Sequence, residues 1–195
     1  PTSGNDAIST AHEIPELMLF KNAAINKLDS LMESDFLNGV KISKIIQFEM
    51  AFDGIVKYAK SHDIDLIVMG SHGASGFQEM FIGSNTEKVV RNSEAPVLVI
   101  KREEEKFSAS KFVFASDFSD EAKKPFEKAF SFAQGFGAHL HLVNINTPNN
   151  FKSTKVAQQT MNDFLAGTDT TNRTSHIYND VNVEKGILHF AKSID

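Results

Sequence analysis

The chain contains no cysteine, which excludes a disulfide framework and any thiolate-bound metal. It has no apolar run near the ~20 residues that a membrane-spanning helix needs. Its first residues lack the charged-then-apolar pattern of a secretory signal, although the chain opens on Pro1 and not on Met. Positive charge is not in excess: 20 Lys and Arg face 25 Asp and Glu, a formal net charge of −5. No nucleic acid and no membrane is therefore expected as the main partner. No nucleophile–base pair stands at a supporting spacing, so no catalytic residue is assigned and an enzyme is the less favoured reading. What is present is ordinary for a globular protein, 41% hydrophobic and 23% charged residues. The length of 195 residues allows one large domain or two small ones.

The informative stretch runs from Ile64 to Ile100. Ile64-Asp65-Leu66-Ile67-Val68-Met69 is short, β-branched and closed by Gly70, and predicts a buried strand. A loop with Gly70, Gly73, Gly76 and Gly83 follows. Ser84-Asn85-Thr86-Glu87 fits a capping box, with Ser84 as cap and Glu87 as its return partner, so a helix is expected to begin there. Pro96 ends that helix, and Val97-Leu98-Val99-Ile100 predicts a second buried strand. Strand, glycine loop and helix N-terminus in this order make an anion site. Glycines let the backbone approach a phosphate, and the first helical amides have no internal acceptor. No Lys follows Gly83, so the loop is not a P-loop, and the dinucleotide G-x-G-x-x-G spacing is absent.

Gly70-Ser71-His72-Gly73, nine residues, then Gly83-Ser84 is similar to the G-x2-G-x9-G-[S/T] loop of the universal stress protein family. Ala115-Ser116-Asp117-Phe118-Ser119 resembles the turn that ends the first strand of such a module, with Ala115 where the family often has Pro. The resemblance implies an α/β fold of parallel-sheet, adenine nucleotide α-hydrolase-like (Rossmann-like) three-layer modules. It also implies ATP, with or without Mg2+, as ligand. Carried over, Met69 and Gly70 line the ribose side, with Ser71 and His72 following them. Gly73, Gly83, Ser84 and Asn85 offer amides and a hydroxyl to the phosphates. Asp117 matches the aspartate that lies near adenine and ribose.

An internal repeat agrees with a tandem arrangement. Phe52–Ser61 (FDGIVKYAKS) and Glu184–Ser193 (EKGILHFAKS) align without gaps, Gly54 on Gly186, Ala59 on Ala191 and Ser61 on Ser193. Two modules are expected, residues 1–103 and 108–195, joined through the charged run Arg102–Lys106, which reads as a solvated linker. Each module looks incomplete: the first lacks its opening elements and the second its closing ones, so the full gene product is expected to extend at both ends. Alternatively the halves complete one another in a single permuted sheet, which would place Phe112–Ala115 beside Ile64–Met69.

The remaining segments follow from periodicity. Pro1–Ser9 reads as loop, and Pro15–Ser34 as an amphipathic helix with Leu17, Phe20, Ala24, Leu28 and Leu31 inward. Val40–Phe48 reads as a strand and Phe52–Ser61 as a helix with Ile55, Val56 and Ala59 inward. Phe112–Ala115, His139–Ile145 and Thr174–Tyr178 read as strands. Ala122–Gly135, Lys155–Leu165 and Gly186–Ser193 read as helices, with Pro125 in the first turn of its helix. The seventeen phenylalanines are packing. His139 and His141, two apart on one strand face, could share a metal, but no third ligand is evident and no metal site is assigned. His72 is a solvated loop residue or a phosphate contact.

The expected function is a cytoplasmic, ATP-binding universal stress protein. It would act as a nucleotide-dependent stress-response regulator, non-catalytic or weakly hydrolytic, as a homodimer or through pairing of its own modules. The alternative is a family member that binds no nucleotide and serves as a dimeric interaction or small-ligand module. An ATP-using ligase-like enzyme of a related fold is a third reading, and nothing in the sequence supplies its acceptor site.

Overall fold

A computed structural model of the chain describes residues 6–47, 50–71, 83–101, 108–169 and 171–194, with side chains from Leu17 onward. It divides into two compact units, Pro1–His62 and Asp63–Asp195. The charged run expected to separate two modules lies outside the described residues.

The first unit holds α1 (Asp6–Met32) and α2 (Ala51–Ser61). α1 begins inside the segment expected as loop and passes through Pro15. The stripe expected inward is largely exposed: Leu17 is 49% and Phe20 66% accessible. Spacing alone sets a stripe, and burial needs a partner surface, which the described residues do not give it. Residues 41–47 join no sheet, because no described strand supplies a ladder, so the strand expected at Val40–Phe48 is not formed. That segment instead follows α1, with Lys44 ion-paired to Asp29. Gly39 turns the chain at φ 84°, a region glycine enters at no steric cost. In α2, Gly54 and Ala59 are buried and Ile55 and Val56 half-buried, as expected.

The second unit contains two parallel sheets. One pairs β1 (Ile67–Gly70) with β2 (Val97–Ile100) in register Ile67↔Val97, with α3 (Ser84–Asn92) between them in sequence. β1 starts later than the sequence predicts and is covered on one face only: Ile67 and Met69 are half-buried, Val68 is 59% exposed. The other sheet has the order β3 (Lys111–Ala115), β4 (His139–Asn146), β5 (Arg173–Asn179). Its connections are α4 (Lys123–Gly135), which carries Pro125 in its first turn, and α5 (Thr154–Phe164); α6 (Val183–Ser193) follows β5. Among the described residues β3 pairs with β4 alone and β1 with β2 alone, so Phe112–Ala115 does not lie beside β1 in a permuted sheet.

Alternation along β4 separates two apolar layers. Leu140 and Leu142 point to one face and pack with Phe118, Phe126, Ala133, Met161 and Phe164 from the β3–α4 turn, α4 and α5. Phe164 meets Phe118 and Phe126 edge-on at centroid distances of 5.2 and 5.4 Å, a geometry aromatic quadrupoles favour. Val143 and Ile145 point to the opposite face and pack with Phe190 of α6. Each sealed Leu contributes about 1.5–3 kcal/mol of burial. Two faces, each covered by helices, make the three-layer α/β arrangement.

Candidate functional site

The glycine loop leaves and returns at one point. At the end of β1 the Ser71 amide donates to Ile100 of β2 at 2.8 Å, and the Gly83 amide donates to the Ser71 carbonyl at 2.6 Å. Residues 72–82, including His72 and Gly73, lie outside the described residues. Ser71 itself is buried. The first intrahelical bond of α3 runs from the Glu87 amide to the Gly83 carbonyl. The amides of Ser84, Asn85 and Thr86 therefore have no acceptor within the helix and carry its positive end. Thr86, 4% exposed, donates its hydroxyl to the Gly70 carbonyl at 2.9 Å and fixes the helix start to the end of β1. Ser84 and Asn85 are exposed beside it.

The capping box is not formed. Gly83 is the N-cap, with φ −58° and ψ 145° and no side chain to offer. Ser84 is thus the first helical residue, where its hydroxyl is past the position that reaches the third amide. Glu87 pairs forward with Arg91, Nε to carboxylate 3.0 Å. The hydroxyl of Ser84 is not engaged as the helix cap.

Asp117 stands on the other sheet, in the exposed turn after β3. Its carboxylate accepts the Ser119 amide at 3.0 Å. That backbone bond, then the Ser119 hydroxyl and the charge of Lys152, hold its pKa below the ordinary carboxylate value. The next residue, Phe118, takes φ 59° while buried. This left-handed conformation is costly for a bulky side chain, and it is held by the Phe118 amide donating to Ser116 Oγ at 2.9 Å. The turn is built by its two flanking polar side chains.

A family model described as the universal stress protein family matches residues 4–101, half of the chain. The chain belongs to the universal stress protein family. A universal stress protein of Methanocaldococcus jannaschii is 39% identical over 79 residues, covering 40% of this chain and 49% of that protein. Universal stress protein YxiE of Bacillus subtilis is 33% identical over 81 residues, 42% of this chain and 55% of that protein. The chain spans about half the length of these curated relatives. A universal stress protein structure from Archaeoglobus fulgidus superposes with TM-score 0.70 at 25% identity, covering 94% of this chain and 64% of that one.

Within this universal stress protein chain the structure brings Met69, Gly70, Ser71, Gly83, Ser84 and Asn85 to one edge of the β1–β2 sheet, and it puts Asp117 on the second sheet. Thr86, which ties the site together, was not singled out from sequence; a hydroxyl on the buried side of a first helical turn was its only signal. Sequence reasoning put His139 and His141 on one strand face but missed Thr174 and His176, which join them in a polar cluster on the α6 face of the second sheet. The β4–β5 register sets Thr174 beside His141 and His176 beside Val143. Thr174 Oγ1 then lies 3.1 Å from His139 Nε2, 3.1 Å from His141 Nδ1 and 2.9 Å from His176 Nε2. Among the described residues no group of three His, Asp or Glu is arranged to hold a metal ion, and no helix is long and apolar enough to cross a membrane.

Proposed function

We propose that this universal stress protein chain binds an adenine nucleotide, ATP with or without Mg2+, at the β1–α3 edge. On this reading nucleotide occupancy sets the protein's state in a stress response. The carrying observation is the α3 N-terminus: three amides without helical acceptors, locked to the end of β1 by the Thr86–Gly70 bond. Such amides and the helix dipole favour phosphate. The Ser84 hydroxyl, not engaged as a cap, adds a donor beside them. Met69 and Gly70 would border the ribose, and His72 and Gly73 belong to the same loop in sequence. No P-loop lysine follows Gly83 in the sequence, so binding and release, not turnover, are the proposed activity. The reading extends to tandem modules, to pairing of modules within or between chains, and to a cytoplasmic setting.

Native mass spectrometry of the full-length protein, with a thermal-shift titration by Mg-ATP, tests it. Bound ATP and a concentration-dependent rise in Tm are expected. Gly83→Ala should weaken both without unfolding the protein, because φ −58° suits alanine while a side chain at the N-cap hinders close approach of a phosphate to the backbone. No bound mass and no shift at millimolar ATP would refute the reading. That result would favour the interaction-module alternative, for which the exposed Leu17, Phe20 and Leu31 of α1 offer an apolar surface.

A further inference from the structure

We propose that the His139–His141–His176 cluster is a proton-operated latch: proton uptake by the cluster releases α6 from the β4–β5 face. A threonine hydroxyl has one proton to give and two lone pairs, and three imidazole nitrogens lie within 3.1 Å of Thr174 Oγ1. His141 Nδ1 and His176 Nε2 also face each other at 3.2 Å. One of these two nitrogens must be bare to accept from the other. With both rings protonated, two N–H groups would meet head-on, so the folded arrangement requires at least one of the pair to stay neutral.

Among the described residues no carboxylate offsets charge on this cluster. Lys111 of β3 adds positive charge to His141, as do His139 and His176 when protonated. On His176 the acting charge is His139. The ionisable side chains of α6, Glu184, Lys185, His189 and Lys192, are exposed, and His189 is tied to Asp180 at 2.7 Å. What α6 sets against the cluster is Phe190, 3% exposed, with its ring 4.9 Å from His176 and 6.4 Å from His141. Phe190 is also the buried anchor that α6 places on Val143 and Ile145. Burial first, and neighbouring cations second, push both His141 and His176 below the ordinary histidine value. Their neutral forms are therefore the folded forms. The stability they contribute is complete above the unfolded pKa of about 6.5 and is lost as pH falls below it toward the folded value.

Hydrogen exchange of the whole chain, corrected for intrinsic rates, reads the latch directly. Between about pH 7.5 and about pH 5.5, protection of the α6 amides should fall severalfold as the two rings take up protons. The amides of α4 and α5, on the opposite face of the sheet, should hold. His141→Gln/His176→Gln should keep α6 protected and flatten its pH dependence. An imidazole NMR titration of the unsubstituted chain adds a measurement that needs no variant: His141 and His176 should take up protons in step with the loss of α6 protection. Flat α6 protection, a fall shared equally by α4 and α5, protonation of both rings with α6 still protected, or a pH dependence that survives the double substitution would each overturn the proposal.

Discussion

Gly186→Ala puts the packing of α6 to a quantitative test. Gly186 is buried at the fourth position of α6. A Cβ built there would stand 2.4 Å from Ile145 Cγ2, 3.2 Å from Asp180 Cβ and 3.4 Å from Ile145 Cδ1. The backbone is helical, so alanine gains up to about 1 kcal/mol of intrinsic propensity. Against this, overpacking a tight contact costs about 1–3 kcal/mol. The contacted Cγ2 sits directly on a β-branched carbon of a central strand and cannot swing away. The net expectation is a loss of about 1–2 kcal/mol. The chain has two tyrosines and no tryptophan, one tyrosine in each unit, so a Tyr58→Phe background leaves Tyr178 as sole reporter of the second unit in urea denaturation. Tyr178 lies 5.7 Å from Phe190 by ring centroids and reports on the α6 contact itself. Ile145→Leu moves the branch off Cβ at constant volume, and the double variant should recover most of the loss, a coupling a double-mutant cycle resolves. A Gly186→Ala variant more stable than its parent would show propensity winning and refute the close approach.

Three other outcomes follow. Thr86→Val keeps the shape but removes the bond to Gly70, and should cost about 1 kcal/mol and weaken the proposed ATP binding up to about fivefold, since 1.4 kcal/mol is tenfold; unchanged stability and affinity would deny Thr86 its role. Asn146, 5% exposed, donates to Lys152 O and Asn179 Oδ1 and accepts from the Lys152 amide, so Asn146→Ala should cost about 2–3 kcal/mol in the same urea assay. Asp180 is held below the ordinary carboxylate value by His189 first and the Val181 amide second; its contribution is present above the unfolded pKa and lost as pH falls through the lowered one. Asp180→Asn should therefore flatten the acid limb of a stability–pH curve below about pH 4.

Elements buried on both faces were legible in sequence. β4 reads correctly because both its faces are packed, and α4 because Phe126, Phe130 and Ala133 repeat at helical spacing against one sheet. Val40–Phe48 has the alternation of a strand but no ladder partner among the described residues, and alternation cannot supply one. The inward face of α1 failed for the same reason, since a stripe is local and its cover is not. At the candidate site, glycine spacing gave the loop, while the cap was misplaced by one residue because Gly83 and Ser84 are both acceptable caps. The histidine cluster depends on cross-strand register: His141 and Thr174 are remote in sequence and adjacent only after β4 and β5 align.

The two repeated helices share local construction as well as sequence. α2 and α6 each span eleven residues. Each carries a buried glycine at its fourth position, whose amide donates to the residue before the helix, Gly54 to Met50 at 3.1 Å and Gly186 to Asn182 at 3.0 Å. Each closes on a serine hydroxyl that donates back to the carbonyl of the aromatic three residues earlier, Ser61 to Tyr58 at 3.1 Å and Ser193 to Phe190 at 2.7 Å. Helical propensity explains none of this, because glycine is unfavourable at mid-helix by about 1 kcal/mol relative to alanine. In α6 the cost is explained by Ile145, which leaves no room for a methyl. α2 shares this pattern, and its Gly54 is buried as Gly186 is. Gly54→Ala should then destabilise the chain by about 1–2 kcal/mol, matching Gly186→Ala in sign, in a Tyr178→Phe background where Tyr58 reports. A gain in stability of the size propensity predicts would separate the two helices and show that the shared pattern does not carry a shared packing constraint.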